Sequence, residues 1–256
     1  MRFSVLGSGS KGNCVYVESG RTAVLIDGGF SGKEILRRLE GIGRDASKLD
    51  AICVTHEHND HIAGVGVLSR RYRLPVHANP GTFAGGEAVF KKLWKRQEFD
   101  TGQEFTVKDL HIRSFRISHD TADPVGYLIS SEDKVLGYCT DTGKTTHLMQ
   151  QRLSFCSALI LEFNHNLQLL KNGPYPPALQ QRVRSPQGHL ANEDSAAFLK
   201  DILHDGLQAV ILAHLSEVNN SPQLAMAAAV AALPEGIGPE LAIARQDLAT
   251  RLFSID

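Results

Sequence analysis

The segment Val54-Thr55-His56-Glu57-His58-Asn59-Asp60-His61 determines how the rest of the chain is interpreted. It continues the apolar run from Ala51 to Val54, which predicts a buried strand. Two histidines two positions apart in extended backbone point to the same side, so they can bind one ion. The aspartate and the last histidine fall on the turn into the next helix and can face a second position nearby. About one chain in a thousand of this composition would contain H-x-H-x-D-H by chance, so we expect a metal site and not a histidine-rich surface turn.

The composition of the chain narrows the class of protein. A length of 256 residues is enough to bury a sizeable core, and we expect one domain over residues 1–256. The 27 Lys and Arg against 28 Asp and Glu give a net charge of −1, so contacts with phosphate must be local. No apolar run has membrane-spanning length, and the N-terminus lacks the apolar core of a signal peptide. We therefore expect a cytoplasmic protein that does not interact with membranes, whose oligomeric state the sequence leaves open.

The cysteines also favour a cytoplasmic protein. They are far apart in sequence, and no pair has the C-x-x-C spacing of a metal or redox motif. Each has apolar or β-branched neighbours, so we expect buried, reduced thiols. The four residues are Cys14, Cys53, Cys139 and Cys156.

The order of strands and helices predicts two sheets. Strands are expected at residues 3–6, 14–18, 23–26, 51–54, 105–107, 111–117, 125–130, 134–139, 158–163 and 209–213. Helices are expected at residues 31–41, 62–72, 82–95, 145–153, 192–204 and 221–233. Residues 171–188 contain four prolines and predict a loop with at most short helical pieces. Two blocks of strands, each followed by helices, indicate an α/β protein in which two sheets pack together with helices outside.

H-x-H-x-D-H after a buried strand resembles the signature of the metallo-β-lactamase superfamily, and the resemblance extends over essentially the whole chain. It implies a four-layer αββα sandwich, with two mixed β-sheets flanked by helices. Asp27, in Leu-Ile-Asp-Gly-Gly, is similar to the aspartate that supports the metal loop of that family. Three further family positions are matched by His119 in Ile-Ser-His-Asp, Asp141 in Cys-Thr-Asp-Thr-Gly and His214 in Leu-Ala-His-Leu-Ser.

The resemblance implies two divalent metal ions held by seven side chains. Imidazole and carboxylate ligands suit zinc, manganese or iron. The implied ligands are His56, His58 and His119 for the first ion, Asp60, His61 and His214 for the second, and Asp141 as the bridge. Aspartate in the bridging place is similar to phosphodiesterases of this fold, whereas its lactamases often have cysteine there. A hydroxide that bridges the two ions would be the nucleophile.

Asp60, Glu162 and His189 are the implied catalytic residues. The last two match a proton-relay pair in tRNA-processing nucleases of the superfamily, in which a carboxylate orients a histidine that protonates the leaving oxygen. The alternative is a buried, hydrogen-bonded glutamate and a histidine that caps a helix.

Four motifs resemble a bacterial subfamily called YycJ or WalJ, which implies a 5′-to-3′ DNA exonuclease. They are Gly7-Ser-Gly-Ser-Lys-Gly-Asn13, Glu162-Phe-Asn-His165, Arg182-Val-Arg-Ser and Gly188-His-Leu-Ala-Asn. Alanine replaces the usual serine of the subfamily at Ala191, which removes a hydroxyl contact.

The expected partner is a nucleic acid, with DNA favoured. The candidate substrate contacts are Lys11 and Asn13 in the glycine-rich loop, His165, and Arg182 and Arg184 in the proline-rich loop. A further group of basic residues between Arg70 and Arg96 is interpreted as solvated helix faces. Two alternatives stay open, namely a hydrolase of thioesters, lactones or cyclic phosphodiesters with the same ligands, and a nucleic-acid-binding scaffold with structural metals.

Overall fold

Buried apolar segments form most of the strands of this protein. The computed structural model describes residues 1–234, 236 and 238–256. In that part of the chain the strands are β1 Arg2–Gly7, β2 Cys14–Glu18, β3 Ala23–Ile26, β4 Ala51–Cys53, β5 Pro75–Ala78, β6 Lys95–Glu98, β7 Glu104–Val107, β8 Leu110–Arg116, β9 Val125–Ser131, β10 Lys134–Cys139, β11 Ala158–Glu162, β12 Ala209–Ala213, β13 Glu240–Ile243 and β14 Phe253–Ser254. The helices there are α1 Gly32–Gly41, α2 Asn59–Ile62, α3 Val65–Tyr72, α4 Pro80–Phe90, α5 His147–Leu153, α6 Leu167–Asn172, α7 Pro177–Val183, α8 Asn192–Ile202 and α9 Pro222–Ala232.

The strands pair into two mixed sheets. The described strands of the first sheet have the order β14-β1-β2-β3-β4-β5-β6, and those of the second have the order β13-β12-β11-β10-β9-β8-β7. In the first sheet β3, β4, β5 and β6 are parallel, and in the second β10, β11, β12 and β13 are parallel. The remaining pairs in each sheet are antiparallel.

Three apolar clusters divide the molecule into four layers. Alternate residues of a strand face opposite sides of its sheet, so each sheet contributes one face to the centre and one to a helical layer. The central cluster joins Val15, Val24 and Ile26 of the first sheet to Ile129 and Ile160 of the second. The two outer clusters pack the sheets against α1, α3 and α4 on one side and against α5, α8 and α9 on the other. The predicted αββα sandwich is therefore confirmed.

The prediction of a helix over residues 82–95 is wrong at its end. The helix α4 stops at Phe90, and Lys91 has a φ of 55°, which interrupts helical backbone. Residues 95–98 then form the edge strand β6 beside β5. Its sequence, Lys-Arg-Gln-Glu, is polar and largely exposed, so it lacks the apolar alternation that marks a half-buried strand.

The four cysteines are free and buried, as expected. Burial raises the pKa of Cys156 to about 12, so this thiol is protonated at neutral pH. Among the residues described, no helix combines the length and apolar character needed to cross a bilayer.

Residues 55–61, which we call the metal loop, are held against the end of β3 by a close backbone approach. The amide of Asn13 donates to the carbonyl of Asp60 at 2.7 Å, and the amide of Gly29 donates to the carbonyl of Asn13 at 2.9 Å. A Cβ atom on Gly29 would lie 1.6 Å from the carbonyl oxygen of Asp60. Only glycine therefore allows the two segments to meet at this distance.

We expect Gly29→Ala to displace the backbone at Asp60 and to lower the free energy of unfolding by about 1–3 kcal/mol, as overpacking does. Urea denaturation measures the effect. Gly20→Ala is the matched control, because nothing lies within 4 Å of a Cβ atom built there. Equal unfolding midpoints for the two variants would contradict the packing argument.

Candidate metal centre

The loop after β4 is fixed by a buried carboxylate from the end of β3. Asp27 accepts hydrogen bonds from the Thr55 amide at 2.8 Å and from the Thr55 hydroxyl at 2.9 Å. Its Oδ2 also accepts from Nδ1 of His61 at 2.8 Å. Burial raises the pKa of Asp27, although His61 and Thr55 act in the opposite direction. Asp27 therefore orients both the loop and the His61 ring, as the resemblance implied.

A first group of nitrogen atoms comes together from two strand ends. His56 and His58 follow β4, and His119 follows β8. Their candidate ligand atoms all lie within 4.8 Å of one another, and Nδ1 of His58 is 3.2 Å from Nε2 of His119. Two nitrogens at 2.0–2.1 Å from a tetrahedral zinc ion would be separated by about 3.3 Å. The spacing of this group therefore suits one ion.

A second group lies beside the first. Nε2 of His61 is 3.6 Å from Oδ2 of Asp60, and Nε2 of His214 is 3.9 Å from the same oxygen. Asp141 reaches both groups, because its Oδ1 is 3.3 Å from Nε2 of His214 and 4.0 Å from Nε2 of His119. Its Oδ2 is 3.5 Å from Nε2 of His61. The structure thus brings all seven predicted ligands into one cluster with Asp141 between the groups.

The second ring nitrogen of several histidines is held by an acceptor outside the cluster. The pairs are His61 Nδ1 with Asp27, His119 Nδ1 with the carbonyl of Gly188, and His214 Nδ1 with Glu162, at 2.8, 3.2 and 3.2 Å. A hydrogen bond of this kind fixes the tautomer and leaves Nε2 as the free donor to a metal. The three Nε2 atoms are the ones that face the cluster.

Unpartnered atoms show that the cluster fits a cation. Nε2 of His56, Nε2 of His214 and Oδ2 of Asp141 are buried and have no hydrogen-bond partner within the described part of the chain. Burying such atoms without a ligand is costly. Burial acts to lower the pKa of His214, but the carboxylates of Asp141, Asp60 and Glu162 together outweigh it and raise that pKa to about 10. A divalent cation bound here would replace the proton that the carboxylates otherwise hold on the imidazole.

Three residues of the site leave their strands in left-handed backbone. Asp27, Asp141 and His214 follow β3, β10 and β12, and their φ angles are 60°, 61° and 56°. This conformation is uncommon for residues other than glycine and is found at functional sites. Here it turns each side chain sharply at the carboxyl end of its strand.

Glu162, at the end of β11, accepts hydrogen bonds from several groups of the site. Its Oε1 accepts from Nδ1 of His189 at 2.8 Å and from Nδ1 of His214 at 3.2 Å. It also binds three backbone amides, those of Asp141, Thr142 and Leu190, at 3.2, 3.0 and 3.1 Å. Burial acts to raise the pKa of Glu162, but the charge of His189 and the hydrogen bonds from His189 and His214 lower it to about 2. Glu162 is therefore an ionised carboxylate that positions other groups and is itself fully buried.

His189 is the more exposed partner of this pair. Its side chain is 19% exposed, and Nδ1 lies 4.0 Å from Oδ1 of Asp141. The ring is 5.1 Å, centre to centre, from the rings of both His119 and His214. His189 therefore lies against the cluster and also faces solvent.

The candidate substrate residues occupy different places. Asn13 is buried, and its Nδ2 lies 3.2 Å from Oδ2 of Asp60, so it supports a cluster residue. Lys11 is exposed and forms an ion pair with Glu217. His165 is buried, and its Nε2 has no hydrogen-bond partner among the described residues.

The two arginines of the proline-rich region are exposed, and one of them is connected to the cluster through Asp120. Nε of Arg182 donates to Oδ2 of Asp120 at 2.6 Å, and Oδ1 of Asp120 is 3.6 Å from Nε2 of His119. Arg184 follows α7 and is also exposed. Sequence reasoning missed Asp120, although its position directly after His119 was a signal for it.

Comparisons with known proteins agree with this architecture. The profile of the beta-lactamase superfamily domain matches residues 22–214. The exodeoxyribonuclease YycJ of Bacillus anthracis is 37% identical over 88% of this chain and 86% of its own length. The exodeoxyribonuclease WalJ of Streptococcus pneumoniae is 37% identical over 99% of this chain and 98% of its own. The metallo-beta-lactamase fold protein YhfI from Bacillus subtilis has the same fold, with a TM-score of 0.76, 19% identity, and coverage of 97% of this chain and 98% of its own.

We expect Asp141→Ala and Asp60→Ala to lower the amount of divalent metal bound per protein molecule, because each removes an oxygen atom from the cluster. Metal analysis of protein after gel filtration measures the ratio. Asp133→Ala is the matched control, since that carboxylate is 78% exposed and lies in the turn between β9 and β10. A ratio unchanged by both cluster variants would contradict the ligand assignment.

Proposed function

Because this chain belongs to the beta-lactamase superfamily, and within it resembles the YycJ and WalJ exodeoxyribonucleases over nearly its whole length, we propose that it is a binuclear nuclease acting on DNA in the 5′-to-3′ direction. The fold and these relatives make it a metal-dependent hydrolase. The observation that carries the narrower proposal is the Glu162–His189 pair beside the ligand cluster. Such a pair serves a reaction whose leaving group needs a proton, as a phosphodiester does.

The arrangement of the ligands supports two ions. His56, His58 and His119 would hold one ion, Asp60, His61 and His214 the other, and Asp141 both. Zinc, manganese and iron all suit this donor set. When bound, ions of this kind supply Lewis acidity, which activates water and neutralises the charge of a phosphodiester.

His189 is positioned to act as the general acid. Nδ1 is engaged by Glu162 at 2.8 Å, which leaves Nε2 as the nitrogen that can face a substrate. The partial exposure of the ring allows contact with a bound molecule, and its proximity to Asp141 places it at the edge of the cluster. His189 would donate a proton to the leaving oxygen, while the Glu162 carboxylate stabilises the charged imidazole and holds its orientation.

Asp60 has a different part in the reaction. Its side chain is 23% exposed, so it lies at the open side of the cluster. Nδ2 of Asn13 donates a hydrogen bond to its Oδ2. As a ligand and a hydrogen-bond acceptor, it would orient the attacking water toward phosphorus. Asn13 therefore acts through Asp60.

Contacts with the phosphate backbone would come from the exposed cations near the site. Arg182 reaches the cluster through Asp120, and Arg184 follows on the same segment. Lys11 lies in the same loop as Ser8, whose hydroxyl accepts a hydrogen bond from the amide of His214 at 2.9 Å. His165 is not one of these exposed cations, because it is buried on the segment between β11 and α6, where its backbone bridges to Ala191.

We expect manganese-supplemented protein to release nucleotides from DNA labelled at the 5′ end before it releases label from the 3′ end. Gel analysis of both labelled strands in a time course measures this order. A thioester substrate is assayed in parallel. If only the thioester is hydrolysed, and His189→Ala leaves that rate intact, the nuclease proposal is wrong.

We expect His189→Ala to lower kcat on DNA by about 10²- to 10⁴-fold, the usual contribution of a general acid. Metal content should stay at the parent value, because His189 is outside the proposed ligand set. His147→Ala is the matched control, since His147 is exposed on α5 and contacts Gln151. An equal loss of activity in the control variant would indicate a general effect on folding.

A further inference from the structure

A second surface of the protein concentrates positive charge away from the metal centre. Between residues 61 and 97 the sequence contains seven Lys and Arg residues and one acidic residue, Glu87, although the whole chain has a net charge of −1. These cations form what we call the basic patch, which consists of Arg70, Arg71, Arg73, Lys91, Lys92, Lys95 and Arg96. All seven are exposed.

Most of this charge is not neutralised by the protein. Arg96 forms an ion pair with Glu87 at 3.0 Å. The other six cations have no carboxylate oxygen within 4.0 Å in the part of the chain that the structure describes. Arg70 instead donates to the carbonyls of Phe90 and Lys92 at 3.2 and 2.6 Å, which ties the end of α3 to the end of α4. Six of the seven cations of the patch therefore have no carboxylate partner in the described part of the chain.

An aromatic side chain lies within the patch. Trp94 is 55% exposed, which is unusual for so large an apolar group. The guanidinium carbon of Arg73 is 5.3 Å from the centre of its ring, and the Trp94 amide donates to the Ser69 hydroxyl at 3.0 Å. The backbone is therefore anchored while the indole remains available to solvent.

The patch lies at the opposite end of the sheet from the metal centre. Strands β4, β5 and β6 are parallel, and the metal loop leaves the carboxyl end of β4. Arg73 and Trp94 precede the amino ends of β5 and β6, where Pro75 pairs with Lys95. A strand of four residues spans about 13 Å, so a molecule that touches both places must be at least that long.

We propose that the basic patch and Trp94 form a second binding site for single-stranded nucleic acid. Free cations beside an exposed aromatic ring are the combination that binds such strands, with phosphates on the cations and a base stacked on the ring. The choice of nucleic acid as ligand rests on the proposed nuclease function. A long strand held here would be retained near the metal centre, whereas a short substrate would not reach both sites.

The experiment uses Trp94 as its own reporter, because it is the one tryptophan of the chain. Metal-loaded protein is titrated with long phosphorothioate oligothymidylate, which resists hydrolysis, while tryptophan emission is recorded. We expect quenching of the emission and an affinity that falls as salt is raised. Trp94→Ala, measured by anisotropy of a labelled oligonucleotide, should bind about tenfold more weakly, as loss of one stacked base predicts.

Charge variants test the cations separately. Lys92→Ala combined with Lys95→Ala should reduce the slope of log affinity against log salt by about 1.4, at about 0.7 for each phosphate contact. Lys134→Ala combined with Lys200→Ala removes the same charge from the side of the second sheet and should leave the slope unchanged. In hydrolysis, the patch variants should raise KM for long DNA and leave kcat/KM for a short substrate at the parent value.

Two outcomes would overturn the proposal. One is unchanged Trp94 emission at oligonucleotide concentrations that saturate binding in the anisotropy assay. The other is quenching by anionic phospholipid vesicles but not by the oligonucleotide, which would assign the patch to a membrane surface. If DNA is hydrolysed but Trp94 emission does not change, this binding site is rejected and the nuclease proposal stands. If Trp94 emission is quenched but DNA is not hydrolysed, the binding site is supported and the nuclease proposal is rejected.

Discussion

The buried carboxylate of Glu162 connects parts of the site that come from separate strands. It binds the backbone at the end of β10, the imidazole of His214 after β12, and His189 ahead of α8. These bonds form together only if three neighbouring parallel strands end at the same level. The apolar clusters on both faces of the second sheet hold the strands in that register. Apolar packing in the core therefore controls the positions of the reactive groups.

The metal loop could be predicted from the sequence because its side chains lie within one short segment, where spacing alone fixes their relative directions. His119, Asp141 and His214 are distant along the chain, and only the resemblance to a known family linked them to the loop in advance. The fold supplies the physical reason for the link. Each follows the carboxyl end of a strand of the second sheet. These strand ends meet the carboxyl end of β4, from the first sheet, at the cluster.

Features that depend on tertiary contacts could not be predicted. The edge strand β6 is mostly exposed, so its sequence has no alternating apolar pattern, and the predicted helix over residues 82–95 reaches its first residue. The link between Asp120 and Arg182 joins residues that are 62 positions apart. The short helix that carries Arg182 has no buried residue, so no apolar periodicity marks where it packs. Asp120 directly follows His119, but no pattern along the chain marks Arg182 as its partner.

The left-handed backbone at Asp27, Asp141 and His214 has a consequence for the mutational tolerance of the protein. A substitution at any of these positions must satisfy both the donor set and a backbone conformation that most side chains disfavour. Asparagine enters this region more readily than other non-glycine residues. Asp→Asn changes at positions 27 and 141 therefore remove charge while preserving the local backbone, whereas alanine disturbs both. The backbone therefore limits which residues these strand ends tolerate, independently of the donor set.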